Sequence, residues 1–97
     1  MKDIRGSFIW DPIKELVNLS KHGIDFTTAA MAFKDPGRKI FVDSRHSEKE
    51  PRFFCVGKAG EDIITVRFTY RAKAVRIIGA GYWRQGKKVY EKENRLH

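Results

Sequence analysis

The most constraining feature of the sequence is the stretch from Phe8 to Phe26, FIWDPIKELVNLSKHGIDF, which marks both ends of one helix. Its first three residues favour a short strand. Asp11 suits the N-cap of a helix, and Pro12 suits the first helical position, where its missing N–H costs nothing. Gly23 suits the left-handed position after the last turn. The stretch therefore predicts a strand, then a helix that begins at Pro12 and ends before Gly23.

Apolar residues recur at helical spacing in this first helix, at Ile13, Leu16 and Val17, and we expect that face to pack inward. A second helix is indicated by apolar positions at i, i+3, i+4 and i+7 between Phe26 and Phe33, and it ends at the Asp35-Pro36-Gly37 breaker. The polar residues expected mainly on the other faces of the first helix are Lys14, Glu15, Asn18 and Lys21.

The remainder of the chain predicts strands followed by a terminal helix with Val89 and Tyr90 as its inward residues. This order predicts an α+β fold in one domain, residues 1–97. Two N-terminal helices would pack on an antiparallel sheet of four to five strands, with a helix at the C-terminus. The strand-like runs are residues 39–43, 52–57, 62–70 and 74–78, and the terminal helix is expected over residues 83–96.

Basic residues are concentrated toward the end of the chain. The net charge is +8, but residues 1–66 contain eleven Lys and Arg against ten Asp and Glu, whereas residues 67–97 contain nine against two. A polarised basic surface attracts a polyanion, and the phosphates of RNA or DNA are the commonest candidates. The alternative is that these residues only solvate an exposed face.

Several classes of protein and site are disfavoured by the sequence. It contains no signal-like apolar segment and no run long enough to span a membrane, so we expect a cytoplasmic protein. The single cysteine, Cys55, lies in an apolar run and is expected to be a buried thiol. No P-loop, dinucleotide-binding glycine motif, C-x-x-C or H-E-x-x-H is present, and we expect neither a metal nor an organic cofactor.

The opening stretch resembles the BrnT family, the toxin half of a bacterial type II toxin–antitoxin pair, in its W-D-x-x-K, N and K-H-G-[IV]-x-F pattern from Trp10 to Phe26. A second family pattern, D-x-x-H-S-x-x-E-x-R, is present from Asp43 to Arg52. The resemblance implies a RelE-like fold and a ribonuclease that inhibits translation. It also implies a BrnA-like, DNA-binding antitoxin as partner, in a complex with two copies of each chain.

Metal-independent cleavage of RNA requires a base for the 2′-OH, cations for the phosphate and an acid for the leaving oxygen. Arg71 and Arg76 flank the turn into the last strand, and Arg52 and Arg67 come from neighbouring strands, so their guanidinium groups are candidates to converge on one phosphate. The alternative is that each pairs with a carboxylate or lies on a solvated face. His46, in a polar loop, is a candidate acid or base.

The chain departs from the family pattern after Ile78. It has Gly79 and Gly81 where a serine and an arginine are usual, and Lys87 where an acidic residue is usual. These departures favour a second hypothesis, a catalytically degraded module that binds RNA or a partner protein. The aromatic and basic residues suited to stacking a base and binding its phosphate are Tyr82, Trp83, Arg84, Lys87 and Lys88. The alternative for Tyr82 and Trp83 is that they fill the core beneath the terminal helix.

Overall fold

A computed structural model of the chain describes residues 7–47 and 49–95. Every predicted element is present in this part of the chain, and the predicted end of the last helix at Leu96 lies outside it. Short 3-10 turns occupy Ala32–Lys34 and Ser44–His46. The elements are β1 (Phe8–Trp10), α1 (Pro12–His22), α2 (Phe26–Met31), β2 (Lys39–Val42), β3 (Phe53–Ala59), β4 (Asp62–Arg71), β5 (Ala74–Gly81) and α3 (Arg84–Arg95).

The five strands form one sheet in the order β1-β5-β4-β3-β2. Neighbours from β2 to β5 are antiparallel, whereas β1 runs parallel to β5 with Phe8 opposite Val75. The sheet is therefore mixed, and the prediction of an antiparallel sheet was wrong for its first strand. No hairpin joins β1 to β5, so no tight turn forces them to run in opposite directions.

The main core lies between one face of the sheet and the segment from α2 through the first 3-10 turn. Phe26, Ala29 and Phe33 are buried there, which confirms the apolar spacing predicted for the second helix. The ring of Phe33 meets Phe68 of β4 edge to face, with centroids 4.9 Å apart. Cys55 is fully buried as expected, and burial raises the pKa of its thiol to about 12.

Helix α1 begins and ends as predicted, since the Asp11 carboxylate accepts a hydrogen bond from the Ile13 N–H and Gly23 takes a left-handed conformation with φ of 72°. The direction of its apolar face was predicted wrongly. The side chains of Ile13, Leu16 and Val17 are 71%, 66% and 47% exposed. The helix therefore presents its apolar residues to the outside.

Two polar residues attach α1 to the fold in place of that apolar face. Strand β1 ends opposite Ile77, and beyond this point Asn18 takes the place of a neighbouring strand. Its Oδ1 accepts a hydrogen bond from the Ala80 N–H at 3.0 Å, and its Nδ2 donates to the Ile24 carbonyl at 3.0 Å. The Glu15 carboxylate accepts hydrogen bonds from the Trp10 indole and the Phe26 N–H. Buried polar groups that need partners thus decide which side of α1 faces inward.

Helix α3 packs on the opposite face of the sheet, where Gly86 approaches Thr65 so closely that a Cβ atom would overlap the threonine hydroxyl. Tyr90 is buried and Val89 half-buried, as predicted. The Tyr90 hydroxyl donates a hydrogen bond to Asp35 at 2.6 Å. Because α3 contacts only part of this face, the end that carries Arg67 is left partly open.

Candidate functional site

Three of the arginines predicted to bind phosphate share the face of the sheet on which α3 packs. Arg67 and Arg71 are alternate residues of β4, and Thr69 between them is paired with Arg76 of β5. Alternate residues of a strand point to the same face, and directly paired residues do likewise. Arg71 and Arg76 flank the turn into β5 as predicted, and Arg67 lies on β4. Arg52 lies just before β3, so the prediction that it belongs to a strand was wrong.

A buried carboxylate, Asp43, lies at the centre of this region. It follows β2, its side chain is 3% exposed, and its backbone N–H donates to the Arg52 carbonyl at 2.8 Å. The Nδ1 atom of His46 lies 3.1 Å from Asp43 Oδ2, and the Nε atom of Arg67 lies 3.2 Å from the same oxygen. One carboxylate thus brings a histidine and an arginine together.

Local hydrogen bonds hold the loop after β2 in a conformation that places His46 beside Asp43. The Ser47 hydroxyl donates to the Asp43 carbonyl at 2.6 Å and accepts from the Arg52 N–H at 3.0 Å. The 3-10 turn between Asp43 and Ser47 places the imidazole three residues after the carboxylate, where the two side chains meet. The family pattern that begins at Asp43 therefore has a structural explanation.

The contact between His46 and Asp43 indicates which nitrogen of the neutral imidazole carries the proton. A carboxylate only accepts hydrogen bonds, so Nδ1 is the protonated nitrogen of the neutral imidazole and Nε2 is the acceptor. The His46 side chain is 47% exposed, and the residue borders an open cavity of about 270 Å³. This arrangement suits a proton acceptor whose tautomer is fixed by a carboxylate.

Arg52 and Arg71 do converge, but on a carboxylate. The Nη2 atom of Arg71 lies 3.3 Å from Glu50 Oε1, and the Nη2 atom of Arg52 lies 3.7 Å from Glu50 Oε2. The alternative interpretation, pairing with a carboxylate, is therefore observed for both residues. Such partly exposed pairs contribute little free energy, so a phosphate can compete for them.

Further guanidinium donors near Asp43 have no hydrogen-bond partner within the described residues, namely Nε of Arg52 and Nε of Arg67. Arg67 Nε is close to Asp43 but not aligned for a hydrogen bond, so the contact is an ion pair. In residues 7–47 and 49–95, Arg76 forms no ion pair and is half-buried. Both Nε atoms are buried, so an anionic ligand would contact Arg52 and Arg67 through their other guanidinium nitrogens.

Aromatic rings flank Arg67. Its guanidinium carbon lies 5.4 Å from the centroid of Phe54 and 5.9 Å from that of Trp83. Trp83 is 38% exposed and Tyr82 is 55% exposed, so neither residue fills the core beneath α3. Trp83 instead rests on Gly81, where a Cβ atom would come within 3.2 Å of the indole. The departure to glycine at this position therefore makes room for the indole ring.

The predicted RNA-binding residues divide between two regions. Arg67 and Trp83 line a cleft of about 410 Å³ together with Lys14 and Gly79. Arg84 and Lys87 of α3 line a second cleft on the other side of Trp83, together with Tyr82 and the carboxylates of Glu61, Asp62 and Glu91. Lys88 is exposed. The structure therefore does not bring the basic residues of α3 to Asp43.

Two features that are typical of other classes of protein are absent from the described ranges. No group of three or more His, Cys, Asp or Glu side chains there is arranged to hold a metal ion. No helix among the same residues is long and apolar enough to cross a membrane.

The site residues that sequence reasoning did not assign are Asp43, Phe54 and Lys14. Asp43 and Lys14 belong to the family patterns quoted above, so the pattern was the available signal, although it does not state a role. Phe54 lies in an ordinary apolar strand, and only its pairing with Arg67 across β3 and β4 reveals it.

Comparison with known proteins supports the resemblance seen in the sequence. A search of curated proteins found no match. A family model described as the ribonuclease toxin BrnT of type II toxin–antitoxin systems matches residues 10–86, well over half of the chain. The match extends from Trp10 at the end of β1 to Gly86 in α3 and includes Asp43, His46 and Arg67. A toxin of this type has an antitoxin as its partner. The chain thus belongs to the BrnT family of ribonuclease toxins.

Proposed function

We propose that this chain is a metal-independent endoribonuclease with a single RelE-like domain, which cuts single-stranded RNA in the cytoplasm and thereby inhibits translation. The observation that carries the proposal is the convergence of His46 and Arg67 on buried Asp43. These residues supply a proton acceptor and a cation, which are two of the three requirements of the reaction.

In the proposed step, Nε2 of His46 accepts the proton of a ribose 2′-OH. The 2′ oxygen attacks the adjacent phosphorus, the bond from phosphorus to the 5′ oxygen breaks, and water protonates the leaving oxygen. The products are a 2′,3′-cyclic phosphate and a 5′-hydroxyl. Arg67 neutralises the charge that develops on the phosphate, and Asp43 stabilises the imidazolium that forms after proton transfer.

Phe54 and Trp83 are proposed to bind a base next to the phosphate. Both rings lie within 6 Å of the Arg67 guanidinium carbon, and Trp83 remains partly exposed. Stacking of a base on an aromatic ring contributes about 1–3 kcal/mol and discriminates little among bases. The partner is proposed to be a BrnA-like, DNA-binding antitoxin in a complex with two copies of each chain.

A binding module without catalysis is the second candidate, and a specific observation favours it. Glu50 already pairs with Arg52 and Arg71, and Gly79 and Gly81 supply no side-chain donor at the end of β5. The end of β5 therefore lacks the hydroxyl and guanidinium groups that the family usually has there, which favours binding without cleavage.

The test is incubation of the purified chain with a long single-stranded RNA in EDTA. We expect discrete fragments ending in a 2′,3′-cyclic phosphate. The His46→Asn variant is expected to cleave about 10²-fold more slowly, because a general base is lost. Arg67→Lys is expected to lose about tenfold or more, because a lysine does not reproduce the guanidinium fork. Arg38→Lys, at an exposed residue near β2, is the matched control and should cleave like the wild type.

Cleavage by His46→Asn at the wild-type rate would refute the assigned base. Cleavage that disappears in EDTA and returns with Mg²⁺ would refute metal independence. RNA binding that weakens with salt, in the absence of any cleavage on free RNA or on translating ribosomes, would establish the binding module instead.

A further inference from the structure

The outer surface of α1 is an apolar face that the fold does not use. Ile13, Leu16 and Val17 are exposed at helical spacing, and Ile9 of β1 is 42% exposed immediately before them. An amphipathic helix ordinarily buries its apolar side, and a contiguous exposed apolar surface marks an interaction site. Asn18 and Glu15 attach this helix through hydrogen bonds, so its apolar residues are free to contact another molecule.

The exposed charged side chains of α1, Lys14 and Lys21, are positive. The carboxylates of Asp11 and Glu15 are half-buried and accept hydrogen bonds. A partner that contributes both apolar and acidic side chains would therefore match the face in hydrophobicity and in charge. A second copy of this chain in a symmetric contact would bring the same lysines toward each other, which disfavours self-association through α1.

The face of α1 is continuous with the candidate site. Ile13, Lys14 and Val17 line the cleft of about 410 Å³ that also contains Arg67 and Trp83. A segment bound along α1 would therefore lie beside the residues proposed to bind the phosphate and the base. Occupation of this surface provides a direct physical means of blocking RNA.

We propose that the outer face of α1, formed by Ile13, Leu16 and Val17, is the surface on which the antitoxin docks through a segment rich in apolar and acidic residues. The bound segment extends over the Arg67 and Trp83 cleft and excludes RNA from it. This proposal rests on membership of a toxin–antitoxin family, which implies an antitoxin, and its binding test does not depend on the proposed reaction.

The test measures, by isothermal titration calorimetry, the affinity of this chain for its purified antitoxin. Leu16→Glu is expected to weaken binding at least tenfold, because it places a carboxylate within the apolar face. Val42→Glu is the matched control, since Val42 is 67% exposed and Leu16 is 66% exposed, but Val42 lies on β2 at the opposite edge of the sheet. It should bind like the wild type.

Leu16→Ala provides a milder second variant, expected to weaken binding several-fold with an unchanged melting temperature. Equal affinity of the wild type and Leu16→Glu would overturn the proposal, as would an equal loss in Val42→Glu. A dimer of this chain that Leu16→Glu dissociates in sedimentation, with unchanged antitoxin affinity, would assign the face to a second copy and also overturn it. Because affinity is measured without RNA, failure of the nuclease proposal gives a separate result.

Discussion

At the scale of single residues, Asp35 shows how one carboxylate can connect distant segments. It accepts hydrogen bonds from the Gly37 N–H at 2.9 Å, the Lys58 N–H at 2.8 Å and the Tyr90 hydroxyl at 2.6 Å. Burial acts to raise the pKa of Asp35, but these hydrogen bonds outweigh it, and the pKa is lowered. Burial and the hydrogen bond to Asp35 raise the pKa of Tyr90 to about 12.

These pKa shifts predict that the folded state loses stability at both acid and alkaline pH. Asp35 contributes stability above its ordinary pKa of 3.8, and the contribution is lost as pH falls through the lower folded value. Tyr90 contributes stability below its ordinary pKa of 10, and the contribution is lost as pH rises from 10 to about 12. Tyr90→Phe should lower the free energy of unfolding by about 1–2 kcal/mol at pH 7 and reduce the alkaline loss.

Urea unfolding at pH 7, 9 and 11 measures this effect, with the exposed Tyr82→Phe as control. An alkaline loss of the same size in Tyr90→Phe as in the wild type would show that another group is responsible.

At the scale of elements, α1 shows what the sequence determines and what it does not. Its caps and its length were predictable because they depend on local residues such as Asp11 and Gly23. The inward face was not predictable, because it depends on a hydrogen bond between Asn18 and the Ala80 N–H, which is 62 positions away in the sequence. Periodicity reports which residues share a face, but it does not report what that face contacts.

The reversed face of α1 predicts an unusual order of mutational effects. Asn18→Ala leaves the Ala80 N–H and the Ile24 carbonyl without a partner and should cost about 2–3 kcal/mol of unfolding free energy. Leu16→Ala removes an exposed side chain and should change stability by no more than about 0.5 kcal/mol. Chemical denaturation of both variants checks this order. A larger loss for Leu16→Ala would indicate that the apolar face of α1 is buried after all.

The candidate site was predictable to a similar degree. The positions of His46 in a polar loop and of Arg67 and Arg76 on neighbouring strands were predictable, since both follow from local pattern. It did not reveal that Asp43 is buried, because an aspartate after a strand is ordinarily exposed. The sequence also did not show that Arg67 and Arg84 line different clefts. The distribution of charge along a chain does not report which cleft each side chain faces.

At the scale of the whole molecule, the two faces of the sheet differ in packing and in charge. One face is covered by α2 and forms the apolar core, while the other has α3 over part of its area and arginines over the rest. The nine basic residues after position 66 are divided between the sheet, which carries Arg67 and Arg76, and α3, which carries Lys87 and Lys88.

This distribution predicts that arginines on the sheet dominate the salt dependence of RNA binding. Combining Arg71→Ala with Arg76→Ala should weaken affinity and lower the slope of log K against log salt by about 0.7 for each lost phosphate contact. Combining Lys88→Ala with Lys92→Ala, on the exposed surface of α3, removes the same charge and should change the slope less. Fluorescence anisotropy with single-stranded RNA at several salt concentrations measures both slopes. Equal slopes would show that only net charge matters.

The parallel pairing of β1 with β5 also determines the order in which the chain can fold as it is synthesised. Residues 8–10 emerge from the ribosome before the whole of β2, β3 and β4, whereas their partners at residues 75–77 emerge after these strands. The Ala80 N–H that secures Asn18 arrives equally late, so neither β1 nor α1 can reach its final position on a partial chain. A ribosome that has not yet translated β5 is therefore attached to a nascent chain in which β1 has no partner strand and Asn18 has no Ala80 N–H to bind.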